Sequence, residues 1–503
     1  MASETENLTT GSLWVRVDAR LANELNQAPG EGSADKTFLR RYRWVVDAIL
    51  PISMSVVVGI GVMLPTSLSF EARVSLFAFA LATILWSTTK LNAAFIALAV
   101  TIVLVVAGGR PQEALFDSLA SDVIWLMIGA FILGEAVKKT NLAARLTDVI
   151  VARASKVKQV FWLLTVALAI LSFFIPSTSG RAVVAMPIFD SLREKIGDLK
   201  VARALSLLIP TIILVSTICT LIGAGSHLIA NNLLEQVAGE EISFLKWAIY
   251  GVPFGLAASF VSCFVITRLF LKKEQREIKL EPIKTKTKKK FSSAERKTMI
   301  IAAVMVALWM TESFHHFEIA FVTMVGALVL MLPNFGVMSW KEGIKSVSWN
   351  LIIFVGAALI LGKALIETGA AQWIIENIFA LSGLEKSESQ FLILLTVAFI
   401  SLTSHIYMTS HSARAAALVP AMLYFATSFE LNPAALVFIS TAGMNYCLTF
   451  PVSSKALLMF QELEADTFEP PDLLKLSAVL LIAHLILMVA FYYGYWQWIG
   501  LKF

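Results

Sequence analysis

Charged residues are scarce in this 503-residue chain: they make up 15% of it, against 57% apolar residues, and the mean hydropathy is +0.75. A water-soluble protein of this length cannot hide that much apolar surface, which excludes the aqueous enzymes. Disorder, which needs few hydrophobes and many charges, is excluded as well. The net charge is only +5, too small for a nucleic-acid binder. Cysteine is sparse too. Cys219, Cys263 and Cys447 all fall in apolar runs without metal-ligand spacing, so they read as packing residues and not as a disulfide frame. Residues 1–37 lack any apolar run and mix both signs of charge, which predicts a solvated cytoplasmic tail and neither a transit peptide nor a secretory signal. What remains is an all-α polytopic membrane protein.

Apolar runs long enough to span a bilayer lie at about 44–64, 72–89, 91–107, 119–137, 204–238, 246–271, 298–313, 317–333, 349–368, 433–463 and 473–498. Two further apolar stretches, 159–195 and 389–428, break in the middle, at Pro176-Ser177-Thr178-Ser179-Gly180 and at Thr409-Ser410-His411-Ser412. Each reads as a hairpin that enters and leaves on one side, because polar backbone at membrane depth survives only inside protein or beside a water-filled cavity. The expected architecture is about 11 transmembrane helices plus two re-entrant hairpins. Loop 272–297 holds eleven basic and four acidic residues, which predicts a cytoplasmic loop and, with Arg40-Arg41-Tyr42-Arg43, a cytoplasmic N-terminus. Eleven crossings then put the C-terminus outside a cell membrane.

The two broken stretches repeat each other. Ser410, Arg414 and Pro420 stand 233 positions after Ser177, Arg181 and Pro187. Upstream, Ile128-Gly129-Ala130 with Gly134 and Thr140 resembles Val355-Gly356-Ala357 with Gly362 and Thr368. Amphipathic stripes follow each, Leu142, Leu146, Val149 and Ile150 in one and Ile374, Ile375, Ile378 and Phe379 in the other. The predicted organisation is a tail at 1–37, a first transmembrane helix at 38–71, a first repeat at 72–271, the basic loop at 272–297 and a second repeat at 298–503. An odd number of crossings separates the copies, so the repeats are inverted and bring two broken elements together near the midplane, as in secondary transporters.

A hairpin tip inside a membrane exposes backbone N–H groups at the start of its second half-helix, and these attract an anion. Ser177, Thr178 and Ser179 add hydroxyls at one tip, Ser410 and Ser412 at the other. The same oxygens can accept Na⁺. Each hairpin is followed by a long run with its own interruption: Ile222-Gly223-Ala224-Gly225-Ser226-His227 in one copy, Gly443-Met444-Asn445 through Pro451-Val452-Ser453-Ser454-Lys455 in the other. Unwound spans of this type supply carbonyls to coupling ions and side chains to substrate.

These residues resemble the divalent anion/sodium symporter family of the ion-transporter superfamily, which carries Ser-Asn-Thr at each of two inverted hairpin tips. One branch continues Ser-Asn-Thr-Ala-Arg-Ala, close to Ser177-Thr178-Ser179-Gly180-Arg181-Ala182. The proline ten positions after the motif serine is present twice, and Pro451-Val452-Ser453-Ser454 is similar to the family's Pro-Val-Ala-Thr. The resemblance spans residues 40–503 in layout. It implies a homodimer, a scaffold and a moving transport domain, an elevator-type motion and Na⁺ coupling. The departures are specific. The motif asparagine is Thr178 and His411 here, the motif threonine is Ser179 and Ser412, and Lys455 takes part of the place of a Thr-Pro-Pro-Asn segment.

The sequence therefore assigns substrate contacts to Ser177, Thr178, Ser179, Arg181, Ser410, His411, Ser412, Arg414 and Ser454. It assigns ion binding or counter-charge to Ser177, Gly223, Gly225, His227 and Lys455. Arg181 and Arg414 are read as clamps on a carboxylate or sulfate, as ties between each hairpin and neighbouring carbonyls, or as occupants of the space where Na⁺ would sit. The expected function is secondary active transport of small divalent anions, C4-dicarboxylates first and sulfate or sulfonates second, by ion coupling or exchange. A channel or a membrane-embedded enzyme fits less well. No metal or cofactor is expected apart from Na⁺ as a coupling ion, and no partner beyond anion, bilayer and a second copy.

Overall fold

The computed structural model describes residues 49–89, 91–142, 145, 153–280, 291–371, 373, 389–406, 408, 410–463 and 467–503. The tail 1–37, the Arg40–Arg43 cluster, the loop centre 281–290, Leu146, Val149, Ile150, Ile374, Ile375, Ile378, Phe379 and Thr409 lie outside the described residues. Among the described residues the chain is helical, and its extended pairing is a single bridge between Lys156 and Lys279.

After α1 (Ile49–Met63), two series of helices follow in the same order. The first comprises α2 (Phe70–Thr88), α3 (Ala93–Val106), α4 (Glu113–Leu119), α5 (Asp122–Lys139), α6 (Val157–Leu171), α7 (Thr178–Ile196), α8 (Leu199–Val215), α9 (Gly225–Ala238) and α10 (Phe244–Phe270). The second comprises α11 (Ser293–Met310), α12 (Ile319–Met331), α13 (Trp340–Ser346), α14 (Trp349–Glu367), α15 (Gln390–Thr403), α16 (His411–Ser428), α17 (Pro433–Met444), α18 (Lys455–Gln461) and α19 (Pro470–Gly494). Side-chain caps start many of them: Ser69, Asn92, Asp198, Ser292, Ser339 and Asn432 each accept a backbone N–H of the first turn. Among the described residues, six stretches are long and apolar enough to cross a membrane.

Burial separates these helices. The stretch Leu199–Cys219 is 94% buried within the protein, whereas the apolar window of α19 is 33% buried and turns much of its surface outward. A helix apolar all round and enclosed by protein is an interior element. Here α8 is the centre, contacting α6, α7, α10 and α18.

Close approaches fix the packing. A Cβ on Gly129 of α5 would lie 2.7 Å from Thr323 Cγ2 of α12, so only glycine admits this crossing. Thr323 Oγ1 then accepts Trp309 Nε1–H from α11 at 3.1 Å. Gly134 faces Pro176 at the first tip and Gly362 faces Pro420 and Leu233. The two upstream glycines that repeat in the sequence thus both serve the hairpins. Ion pairs collect at one end of the bundle: Lys139 with Glu342, Arg145 with Glu295, Lys156 with Glu277, and Arg203 with Glu469 and Asp472. Arg110 and Lys363 meet Glu367 at the other end.

Candidate functional site

Four half-helices start where the chain breaks, and two of them are the hairpin tips. Ser177 caps α7 by accepting Gly180 N–H at 3.1 Å, and Ser410 caps α16 by accepting Ala413 N–H at 3.3 Å. Both cap residues are extended, with φ −94° and ψ 123° at Ser177, φ −81° and ψ 123° at Ser410. The N–H groups of the first helical residues, Thr178 and Ser179 in one tip and His411 and Ser412 in the other, face out of the helix starts. Ser177, Thr178, Ser179, Ser410 and His411 are half-buried, and Ser412 is buried.

The other two half-helices follow the interruptions. After α8 the chain runs through two 3₁₀ turns, Ser216–Cys219 and Leu221–Gly223, before α9 begins at Gly225. After α17 it runs through Pro451–Ser453 before α18 begins at Lys455, where Ser454 accepts Ala456 N–H at 3.2 Å. The pairing is crossed: α9 packs on α16, and α18 packs on α7. A Cβ built on Gly225 would stand 3.7 Å from Ser412 Oγ. Each tip therefore abuts the broken element of the other repeat.

The arginines tie each tip to its own repeat. Arg181 donates from Nη2 to Gly223 O at 2.9 Å and from Nη1 to Ser216 Oγ at 3.4 Å. Arg414 donates from Nη2 to Cys447 Sγ at 2.6 Å. Both side chains are 0% exposed. Among the described residues neither has a carboxylate partner, and Arg181 Nε, Arg414 Nε and Arg414 Nη1 have no hydrogen-bond partner. Both arginines turn back into the interruptions, which is the tying geometry and not the clamp on an open tip. Gly223 O, read from sequence as an oxygen for a coupling ion, accepts a guanidinium N–H instead, and that cation opposes Na⁺ at this carbonyl.

His227 is fully buried with both ring nitrogens engaged: Nδ1 with Thr220 O at 3.0 Å and Nε2 with Asn445 Nδ2 at 2.6 Å. Lys455, expected as a counter-charge at mid-span, is exposed at the start of α18, where the second interruption ends. His411 lies with Nε2 3.4 Å from Cys447 Sγ.

Sequence reasoning missed three groups. Asn445 bridges the repeats, accepting Ser226 Oγ–H at 3.3 Å as well as donating to His227. Thr220 and Ser453 sit in the two interruptions, 0% exposed, with hydroxyls that lack a partner among the described residues. His405, just before the second tip, is fully buried and bonds to Thr449 Oγ1 at 2.6 Å. The signal for the last was available: a histidine inside an apolar run costs insertion energy and calls for a partner.

Comparisons with known proteins agree in kind with this geometry. The sequence model of the family described as "Citrate transporter" matches residues 83–443 and, again, 307–500. The sodium-dependent dicarboxylate transporter SdcS of Staphylococcus aureus (strain NCTC 8325) is 26% identical over 408 residues, covering 73% of this chain and 76% of that protein. The putative malate transporter YflS of Bacillus subtilis (strain 168) is 25% identical over 342 residues, covering 65% of this chain and 71% of that protein. Among solved structures, the Alcanivorax borkumensis YdaH transporter aligns with a TM-score of 0.48 at 12% identity, covering 76% of this chain and 86% of that one. With most of its length matched by the family's own pattern and its apolar helices long enough to cross a bilayer several times over, this multi-pass membrane protein belongs to the citrate transporter family.

Proposed function

We propose that the protein is a secondary active transporter of small divalent organic anions, C4-dicarboxylates first. One observation carries the reading: two serine-capped tips stand near two fully buried guanidiniums that have no carboxylate partner among the described residues. A buried charge without a partner is costly, so a bound anion repays it. A dianion balances two arginines, and its two carboxylates suit two facing sets of helix-start N–H groups. The named relatives, a sodium-dependent dicarboxylate transporter and a putative malate transporter, support the same substrate class.

In this reading Ser177, Thr178 and Ser179 receive one carboxylate and Ser410, His411 and Ser412 the other, with Ser454 at the margin. Arg181 and Arg414 compensate charge from behind the tips. Inverted repeats then give alternating access, with the hairpins and broken helices moving as one body against a scaffold, two copies to a dimer, the basic loop on the cytoplasmic side and the C-terminus outside. The relatives favour sodium as the driving ion. The arginine on Gly223 O favours exchange, or a different coupling ion, at the first interruption.

Thermal unfolding of the purified protein with a panel of succinate, malate, citrate, sulfate and taurine, each with Na⁺ or choline, tests the reading. Stabilisation by succinate or malate above that by sulfate is expected. Stabilisation by sulfate or taurine alone moves the assignment to an inorganic-anion carrier, and no stabilisation by any anion contradicts it.

A further inference from the structure

A chain of side-chain hydrogen bonds runs through the membrane-spanning core of the second repeat, starting just before its tip. His405 Nδ1–H donates to Leu402 O at 2.8 Å, which leaves Nε2 as an acceptor. Nε2 lies 2.6 Å from Thr449 Oγ1, Thr449 Oγ1 lies 2.7 Å from Ser477 Oγ, and Ser477 Oγ lies 3.2 Å from Tyr446 Oη. Tyr446 Oη is also 2.9 Å from the carbonyl oxygen of Ser477. His405, Tyr446 and Ser477 are buried, and Thr449 is half-buried, so the chain comes nearest the surface there.

The order of donors and acceptors is what sets this chain apart. With His405 neutral, Tyr446 donates to Ser477, Ser477 to Thr449 and Thr449 to His405 Nε2. With a proton on Nε2, His405 donates to Thr449, Thr449 to Ser477 and Ser477 to Tyr446 Oη, while Tyr446 O–H turns to the Ser477 carbonyl. Every group stays satisfied in both states, because each hydroxyl both donates and accepts. Only the N–H bond at His405 forms, and the hydroxyls rotate. His227 cannot do this. Its Nε2 faces the amide N–H of Asn445, whose oxygen is held by Ser226 and whose nitrogen also donates to Thr441 O at 2.9 Å. A proton on His227 Nε2 would oppose a donor.

The fold itself does not require the chain. In the first repeat, the position 233 residues before His405 is Ser172, which bonds locally to Ala169 O at 2.7 Å. There α10 meets the interruption through glycine: a Cβ on Gly251 would lie 2.0 Å from Ile218 O. The first copy thus closes with one indole N–H, Trp247 Nε1 donating to Ile218 O at 3.1 Å, where the second copy carries the hydroxyl chain.

Resting on the anion-carrier reading above, we infer that His405 is the proton-binding residue of this transporter, loaded through Thr449 while Ser477 and Tyr446 reorient behind it, so that a proton travels with the dianion. Arg414 and His411 of α16 act on His405 electrostatically, the Tyr446 ring stands 5.5 Å from it, Cys447 Sγ bonds Arg414 and lies 3.4 Å from His411 Nε2, and the His484 ring of α19 lies behind Tyr446 at 5.0 Å. Arg414 is the fixed charge among them, and it repels a proton on His405. An anion at the second tip offsets Arg414 and removes that repulsion. By linkage the proton then favours the anion equally. The proton enters at the half-buried Thr449, where the chain comes nearest the surface, and leaves by the same hydroxyl once the anion has departed.

The test uses full-length protein in proteoliposomes with radiolabelled succinate. Two modes are measured: uptake driven by an inward proton gradient, and counterflow against internal succinate at equal pH. Wild type is expected to show both. His405→Gln and Thr449→Val are expected to lose the acceleration by the proton gradient and keep counterflow, and Thr449→Ser is expected to restore the acceleration. Wild-type uptake indifferent to the gradient, or acceleration retained in His405→Gln, overturns the inference while counterflow still stands for the carrier. A variant that loses both modes together marks the residue as structural and overturns the relay as well. Absence of succinate counterflow in wild type contradicts the carrier reading itself.

Discussion

Asn445 Nδ2 donates to His227 Nε2 at 2.6 Å, joining the interruption of one repeat to the broken helix of the other. The geometry fixes the tautomer. His227 Nδ1–H is committed to Thr220 O, so Nε2 carries the lone pair that Asn445 requires. Removing the Asn445 side chain leaves an imidazole nitrogen and Ser226 Oγ short of a partner in a fully buried place, while the Thr441 carbonyl keeps the backbone N–H of residue 445. Each such group costs about 1–3 kcal/mol. Asn445→Ala and Asn445→Asp are both expected to lower the unfolding midpoint clearly, aspartate because it cannot donate. A cycle with Ser226→Ala should show coupling. Midpoints equal to wild type would contradict the bridging role.

Two neighbouring glycines should behave oppositely. A Cβ on Gly223 would lie 2.1 Å from Thr217 O, a backbone atom that cannot yield. A Cβ on Gly225 would meet Leu351, Met127 and Ser412 at 3.4 to 3.7 Å, ordinary contact distances. Gly223→Ala is expected to abolish folded, monodisperse protein in detergent. Gly225→Ala is expected to fold and to alter anion affinity, since it crowds Ser412. Size-exclusion profiles of the two variants decide the point, and a well-folded Gly223→Ala protein would contradict the packing described.

Much of this was legible in sequence, and the reason is symmetry. The 233-position recurrence of serine, arginine and proline locates both tips, and the structure puts helix starts at Thr178 and His411, one residue after each serine. What a repeat cannot reveal is where the copies differ. The partner of His227 lies 218 positions away, and nothing in the local pattern around Gly443-Met444-Asn445 points to it. The His405 chain draws on three separate elements and has no counterpart in the first copy. The exposure of Lys455 was not legible either, because a lysine inside an apolar run does not show that a short half-helix starts at it.

The two arginines occupy equivalent positions with unequal surroundings. Arg181 holds a backbone carbonyl at 2.9 Å and a serine hydroxyl, with Nε alone unpartnered among the described residues, whereas Arg414 has a thiol and both Nε and Nη1 unpartnered among them. Hydrogen bonds from a charged group contribute about 1.5–3 kcal/mol. Arg181→Gln is therefore expected to reduce thermal stability more than Arg414→Gln. Arg414→Gln is expected to weaken anion affinity more. Matching losses in both measurements would contradict distinct roles.

Glu342 anchors α13 to the end of α5. Lys139 Nζ donates to it at 2.8 Å, and Ser339 donates from N at 2.7 Å and from Oγ at 2.9 Å. These bonds, the lysine first, hold its carboxyl down at about 2. A depressed carboxylate contributes stability that is present above its ordinary value of 4.5 and is lost as pH falls toward 2. Glu342→Gln is expected to lower the unfolding midpoint at neutral pH, with the difference from wild type shrinking as pH drops through 4.5 toward 2. A difference independent of pH would contradict the ion-pair account.

The central claim is that both hairpin tips hold one dianion. Concentration-dependent uptake of radiolabelled succinate by wild type, Ser177→Ala and Ser410→Ala in proteoliposomes tests it most directly. Each serine both caps a half-helix and faces the proposed site, and the loss of one hydrogen bond to a charged group is about 1.5 kcal/mol, or about tenfold in affinity. The account expects each single variant to fold and to raise the half-saturating succinate concentration by about tenfold. Wild-type half-saturation in both variants would contradict it.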